Sequence, residues 1–310
     1  MSKILVTGGA GFIGSYFVKE MSEHKIIVLD KLTYASDLNR IKDESHITFV
    51  EGDICDFTFV ESIFREYDID TVVNFAAESH VDQSIEDASK FITTNVLGVQ
   101  VLMDVCRKHW HNKGLFLQIS TDEVYGPSGD KIFDETSPLN PQNPYAASKA
   151  AAEHLIKAYE NTFNFPSIIT RSSNNYGDGQ HMEKLIPKTM SNIIRQQPIG
   201  LYGNGLHERC WIHVKDHVKA LRKVIEEGTY HEVYNISGKT VLSNLELVNI
   251  IVESFIGYGF SYENKIEFIK DRPGHDSNYR ISDRKLGYKQ NIEFRDGINE
   301  IISSFMNQYM

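Results

Sequence analysis

Cysteine is scarce in this chain, with three in 310 residues, at Cys55, Cys106 and Cys210. An odd, scattered set excludes a disulfide framework and fits reduced thiols in a cytoplasmic protein. No histidine or asparagine pattern accompanies them that would make one a nucleophile. No apolar run exceeds strand length, which excludes a membrane-spanning helix. The chain enters a strand at once, without a basic stretch and cleavage site, so no export signal is expected. Positive charge is in deficit: 32 Lys and Arg against 42 Asp and Glu give a net charge of −10. Bulk affinity for nucleic acid is therefore excluded, and an anionic substrate would need a local basic pocket. Metal-ligand spacing is lacking too. His109-Trp110-His111 has no cysteine or acidic partner at ligand spacing, and no metal site is expected. There is no internal repeat and no low-complexity segment.

What is present begins with Ile4-Leu5-Val6, a short apolar strand, followed by Thr7-Gly8-Gly9-Ala10-Gly11-Phe12-Ile13-Gly14. Ile13, Phe17, Val18 and Met21 then recur at helical spacing. Glycines at 8, 11 and 14, in a strand-to-helix turn, let the backbone approach a pyrophosphate seated on the helix N-terminus. A second strand, 26–29, ends in Asp30, placed to bond a ribose 2′-hydroxyl and to repel a 2′-phosphate. The pair of signals points to NAD rather than NADP. Strands at 47–50 and 71–75 follow, the latter delivering Ala76-Ala77-Glu78-Ser79-His80. His80 itself reads as a packed or solvated histidine rather than a catalyst. A helix is expected over 89–106, a fifth strand over 115–119, a polar, proline-containing loop over 127–144, a helix over 146–159 and a sixth strand at 168–170. Beyond it, 233–236 reads as a strand and 244–255 as a helix.

Alternating strand and helix predict an α/β fold, a Rossmann-type doubly wound parallel sheet, with a smaller mixed C-terminal region. The expected division is an NAD-binding domain over 1–172 and a substrate domain over 173–310, some of whose segments return to the first.

The chemistry centres on Ser120-Thr121-Asp122-Glu123, at the C-terminal end of the fifth strand, and on Tyr145-Ala146-Ala147-Ser148-Lys149. Ligands bind at that sheet edge in open α/β sheets. Two adjacent carboxylates there are costly as packing but suit proton transfer, because neighbouring acids can be driven to different protonation states. Tyr145 and Lys149 share one helical face, where an ammonium is expected to lower the phenol's pKa and make it a base. Tyr202, near a Gly-Asn-Gly turn, is placed to stack on a nucleobase.

These motifs resemble the extended short-chain dehydrogenase/reductase superfamily. Within it, Thr121-Asp122-Glu123, Glu183-Lys184-Leu185-Ile186-Pro187 and Asp271-Arg272-Pro273-Gly274-His275-Asp276 resemble the nucleotide-sugar 4,6-dehydratases. The resemblance implies a lyase acting on a nucleotide-diphosphate hexose, dTDP-glucose being the expected one, through transient C4 oxidation by NAD. Tyr145, with Thr121 and Lys149, would deprotonate the 4-hydroxyl; Glu123 would take the C5 proton; Asp122 would protonate the departing 6-hydroxyl. Phe12, Ile13, Lys31, Thr33, Asp53, Ile54, Ala77, Thr94 and Asn175 would join Asp30 and the glycines around NAD. Ser79, Asn174, Lys184, Leu185, Tyr202, Arg209 and Arg272 would hold the substrate. A homodimer through a four-helix bundle, built from the helices at 89–106 and 146–159, is also implied.

The sequence departs from the family at Gln83, where arginine is usual, and at Asp178-Gly179, His181-Met182, Gly200 and Ser277-Asn278. Most departures fall in the substrate half, so base and sugar stay open. The alternatives on the same fold are a 5,6-dehydratase, a 4-epimerase or a decarboxylase.

Overall fold

Seven apolar segments pair side by side because the helices between them force each strand to return in the same direction. The computed structural model describes residues 2–110, 113–263 and 265–309. Its strands are β1 (Lys3–Thr7), β2 (Lys25–Asp30), β3 (Ile47–Glu51), β4 (Thr71–Asn74), β5 (Leu115–Thr121), β6 (Ser167–Ser172), β7 (Asn174–Tyr176), β8 (Ile199–Tyr202), β9 (Glu208–His213), β10 (Val233–Ile236), β11 (Thr240–Ser243) and β12 (Ile266–Ile269). Its helices are α1 (Phe12–Glu20), α2 (Phe57–Tyr67), α3 (Val81–Glu86), α4 (Ser89–Ile92), α5 (Gly98–His109), α6 (Pro144–Phe163), α7 (Leu185–Ile194), α8 (Val214–Glu227), α9 (Asn244–Gly257) and α10 (Phe294–Tyr309).

The large sheet runs β10-β6-β5-β4-β1-β2-β3 and is parallel throughout. Its strands are apolar on both faces, as helix-covered parallel strands must be. Ile4, Val6 and Val28 pack on one side with Phe17, Val218 and Leu221. Leu5, Leu29 and Phe116 pack on the other with Phe64, Leu102 and Ile156. The remaining strands form a three-stranded β11-β9-β7 sheet and a β12-β8 pair. They share a separate core with α7, α9 and α10, built on Ile186, Met190, Trp211, Leu247, Ile251, Phe255 and Ile302.

Two helices differ from the sequence expectation in ways that bear on function. The segment expected as one helix over 89–106 is α4 and α5 joined by a π turn, Thr93–Leu97. Such turns insert one residue into a helix and re-aim its side chains. Helix α6 starts earlier than expected because Asn143 caps it, its side-chain oxygen accepting from the Ala146 N–H at 2.8 Å. Among the described residues, no helix is long and apolar enough to cross a membrane.

Candidate active site

A single cleft runs along the C-terminal edge of the large sheet. Its floor at one end is the turn between β1 and α1. Gly8 has φ +68°, and a Cβ there would lie 2.7 Å from the Ala76 backbone nitrogen; a Cβ on Gly14 would lie 2.4 Å from the Gly8 carbonyl oxygen. These glycines let α1 back directly onto the strand ends. Gly11 caps α1 without a side chain, so the first-turn N–H groups face the cleft with no side-chain acceptor among the described residues. A helix start of this kind suits a pyrophosphate.

Asp30 is buried at the end of β2 and held from three directions. It accepts from the Ala10 N–H at 3.0 Å, the Leu32 N–H at 2.9 Å and the Ser36 hydroxyl at 2.8 Å. A carboxylate has about four acceptor positions, so one is left for a ribose hydroxyl. Beyond it Lys31 pairs with Asp53 at 2.6 Å. Thr33, Ile54, Ala77, Thr94 and Asn175 complete this wall with Phe12 and Ile13. Glycine turn, bare helix start and fixed carboxylate together fit an NAD molecule.

The catalytic candidates sit at mid-cleft. Thr121 ends β5, and its hydroxyl accepts from the Glu123 N–H at 3.3 Å, starting the 3₁₀ turn Asp122–Tyr125. Asp122 is buried, and its Oδ2 has no hydrogen-bond partner among the described residues. Burial, then the adjacent Glu123, push its carboxyl up to about 8, with Arg209 pulling the other way. Asp122 is thus held as the acid at neutral pH, an O–H donor with nothing yet to donate to. Glu123 is more open and accepts from the Asn143 amide at 3.3 Å.

Lys149 is buried, donates to the Ile119 carbonyl at 2.6 Å, and is pushed down to about 8 by burial, Glu153 opposing. Tyr145 departs from expectation. Burial, then Glu123, push its phenol up rather than down, and the Thr121 hydroxyl supplies the opposing hydrogen bond. The ammonium that was expected to acidify it is committed to the Ile119 carbonyl.

The substrate candidates divide. Ser79, Asn174 and Lys184 line the same cleft, with Lys184 reaching the Ser79 carbonyl at 3.4 Å. Leu185, Tyr202, Arg209 and Arg272 lie off the cleft wall. Leu185 packs into the small core. Arg209 donates to the Asp276 carbonyl at 3.0 Å and lies over Tyr279. Arg272 bonds Asp82 at 3.1 Å, and the Tyr202 hydroxyl bonds the other oxygen of that carboxylate at 3.0 Å. Despite burial, the Arg272 hydrogen bond and charge hold Asp82 below the usual carboxylate range.

Beside this group the rings of His207 and His275 stack at 3.8 Å and share Asp271. Their donor atoms lie within 4.8 Å of one another. Burial and Arg272 push His275 down to about 4, and burial with Arg209 and Arg272 lowers His207. The same guanidiniums would repel a metal ion, so the lobe suits an anion. Of the histidines near Trp110, His109 faces Glu61 at 3.5 Å, and His111 lies outside the described residues.

The sequence did not assign several roles at or behind the cleft. Asn143 was signalled by its place before Pro144 at a helix start. Asn95, buried in the π turn, bonds the Ser148 hydroxyl at 2.9 Å and both backbone groups of Glu78. In the sequence Thr94-Asn95-Val96 is one of the stretches that carry the family resemblance, but nothing there showed what Asn95 would bond. Glu183 meets His80 at 3.3 Å across the cleft mouth, and nothing in the sequence placed the two together.

A dTDP-glucose 4,6-dehydratase from Haemophilus influenzae is 41% identical, covering 99% of this chain and 98% of its own. The low-salt glycan biosynthesis protein Agl12 from Haloferax volcanii is 44% identical, with 98% of each chain covered. The crystal structure of DesIV, a dTDP-glucose 4,6-dehydratase from Streptomyces venezuelae solved with NAD bound, superposes with a TM-score of 0.92 at 38% identity, covering 98% of this chain and 97% of that one. With residues 5–301 matching the family described as GDP-mannose 4,6 dehydratase, the glycine turn, the acid pair and the Tyr–Lys helix have a common explanation: the chain belongs to that family.

Proposed function

We propose that the cleft converts dTDP-glucose to dTDP-4-keto-6-deoxyglucose and water. The chain is an NAD-dependent nucleotide-sugar 4,6-dehydratase, and its relatives support dTDP-glucose as the substrate. One observation carries the reaction type: a buried acid with an unpartnered oxygen, Asp122, beside a more open carboxylate, Glu123, facing Tyr145 and Lys149 across one cleft. An epimerase needs no acid at the 6-hydroxyl.

NAD, bound against Gly8, Gly11, Gly14 and Asp30, supplies the acceptor for the C4 hydride and the donor that returns it to C6. Tyr145 accepts the 4-hydroxyl proton as the phenolate, its own proton having first passed to solvent against the upward push of burial and Glu123; Thr121 orients its oxygen, while Lys149 lends positive charge. Glu123 removes the C5 proton, which the neighbouring 4-keto group acidifies, and gives a proton back to C5 when the hydride reaches C6. Asp122 donates its proton to the 6-hydroxyl, which leaves as water. Asn143 holds Glu123 toward the sugar. Lys184, on the cleft wall, supplies the cation for the diphosphate, and Arg209 and Arg272 would join it by turning from Asp276 and Asp82, since charge-assisted bonds to a diphosphate are strong.

The proposed division places the cofactor half at 1–172 and the substrate half at 173–310, with α8 and β10 returning to the large sheet. A homodimer through α4, α5 and α6 is proposed as well, supported by exposed Ile92 on α4, Leu97 in the π turn and Phe163 on α6. A cytoplasmic location is consistent with three free cysteines, whose thiols burial pushes up.

The test is to offer the purified protein dTDP-, UDP-, GDP- and CDP-glucose separately and analyse products by mass spectrometry and proton NMR. Loss of one water with a new C6 methyl doublet from dTDP-glucose is expected. An alkene without a methyl signal would make it a 5,6-dehydratase, and an isomer of unchanged mass an epimerase.

A further inference from the structure

Behind the cleft, on the side away from substrate, lies a buried charge network with no part in the steps above. Glu153 follows Tyr145 and Lys149 on the same face of α6, one turn beyond the lysine. Its carboxylate accepts from the Ser120 hydroxyl at 2.5 Å, from Arg171 Nε at 3.0 Å and from Arg171 Nη2 at 2.6 Å. Arg171, on β6, reaches past it: Nη1 donates to the Tyr125 hydroxyl at 2.7 Å, and the guanidinium lies over the Tyr125 ring. Tyr125 in turn donates to Asn235 at 2.9 Å. Glu153 is 2% exposed and Arg171 6%.

Ser120 immediately precedes the Thr121-Asp122-Glu123 run, and Tyr125 closes the 3₁₀ turn that carries both carboxylates. One side chain on the base helix therefore grips both ends of the acid turn, one directly and one through Arg171. The dehydration requires Tyr145 at C4 and Asp122–Glu123 at C5 and C6 of one sugar ring, so the distance between helix and turn is a catalytic quantity. We propose that Glu153 is a positioning residue: it locks the Tyr145–Lys149 helix to the Asp122–Glu123 turn and keeps a negative charge behind the Lys149 ammonium. This rests on the dehydratase reading for its consequence in turnover.

The titratable and charged neighbours define what the charge does. On α6 they are Tyr145 and Glu153; the turn brings Asp122, Glu123 and Tyr125; β6 brings Arg171. Asn95 from the π turn and Ser84 from α3 bond Ser148 and the Tyr145 N–H and carry no charge. Desolvation drives Lys149 toward the neutral amine, and the Glu153 carboxylate resists it. A buried ion pair kept only for stability would be a poor choice, since apolar replacements of such pairs are often neutral or better.

The test compares E153Q, E153D and the double variant E153Q/R171M, which removes the pair together and so avoids stranding Arg171. Two readouts are taken: titration of Lys149 by NMR in protein labelled with [¹⁵N]lysine, without any sugar nucleotide, and the pH profile of kcat. Expected for E153Q and the double variant is a Lys149 titration, and an alkaline fall in kcat, moved to lower pH by about one unit. The kcat should fall roughly 10²-fold from lost alignment while KM changes little. E153D should restore the pH profile most of the way. A folded double variant with the wild-type Lys149 titration overturns the proposal, as does an E153Q whose loss tracks thermal stability alone. If no sugar nucleotide is turned over, the dehydratase reading fails while the NMR titration still reports on Glu153.

Discussion

At the scale of single residues, the acid pair shows how one environment gives two adjacent carboxyls different work. Asp122 is buried beside a negative neighbour, so its proton is held far above the ordinary range; Glu123 faces the cleft and an amide donor. Asp122→Asn keeps the shape and removes the transferable proton. Turnover should fall roughly 10²–10⁴-fold, the usual span for a general acid, measured as product formation at saturating substrate. The same variant should be more stable. A group whose folded pKa is raised contributes stability that is full below its unfolded pKa and lost as pH rises through the folded value, here about 8. At neutral pH most of that contribution is gone, and asparagine, which does not titrate, should raise stability by on the order of 2 kcal/mol. Thermal melts of both proteins at acidic and neutral pH would check it: the gain must shrink toward acid. For the wild type, Asp122 must be protonated and Lys149 charged, and both titrate near 8. The kcat should accordingly decline above about pH 8; a plateau well beyond that would remove one role or the other.

At the scale of elements, the site depends on how segments start and stop. The Asn143 side chain caps α6 through its oxygen and holds Glu123 through its nitrogen. Asn143→Ala should cost about 1 kcal/mol for the lost cap and slow C5 proton exchange with solvent as well, since the base is freed to swing. A loss of stability with unchanged exchange would make Asn143 a cap only. At the other end, Gly14→Ala drives a methyl to 2.4 Å from the Gly8 carbonyl. Helix α1 must then back off the glycine turn, and NAD affinity measured by calorimetry should fall at least tenfold. Gly11→Ala meets the same oxygen at 3.1 Å and should be milder. The parallel strands and the glycine turn were legible because each is a local signal: an apolar run, or a residue type at fixed spacing. The π turn was not, because an inserted residue leaves no periodic mark, and the phenol's upward shift was not, because it depends on how deeply the fold buries Tyr145 and on Glu123 facing it. Tyr202, Arg209 and Arg272 were legible as residue types, but their positions off the cleft wall follow from pairings with Asp82 and Asp276 across long sequence separations.

At the scale of the whole molecule, the proposed homodimer would cover apolar side chains left exposed on α4, the π turn and α6. Ile92, at the end of α4, is 51% exposed, Leu97, at the end of the π turn, 45%, and Phe163, at the end of the base helix, 46%. Single exposed apolar residues are ordinary; three on neighbouring segments support the proposed interface. A second copy of the chain presenting the same face would cover them in a two-fold arrangement. Ile92→Asp with Leu97→Asp places charge at the centre of that face without touching the buried side, so the fold should survive and light scattering should report a monomer. The π turn follows Ile92, ends at Leu97 and contributes Thr94 to the cofactor wall. Dimer contacts would brace that turn from outside. The double variant should therefore bind NAD several-fold more weakly than the wild type, and the wild type should lose affinity to match when diluted below its dimer dissociation constant. If the variant is monomeric with unchanged NAD affinity, the π turn is held by Asn95 and α6 alone; if it remains dimeric, the interface lies on another face.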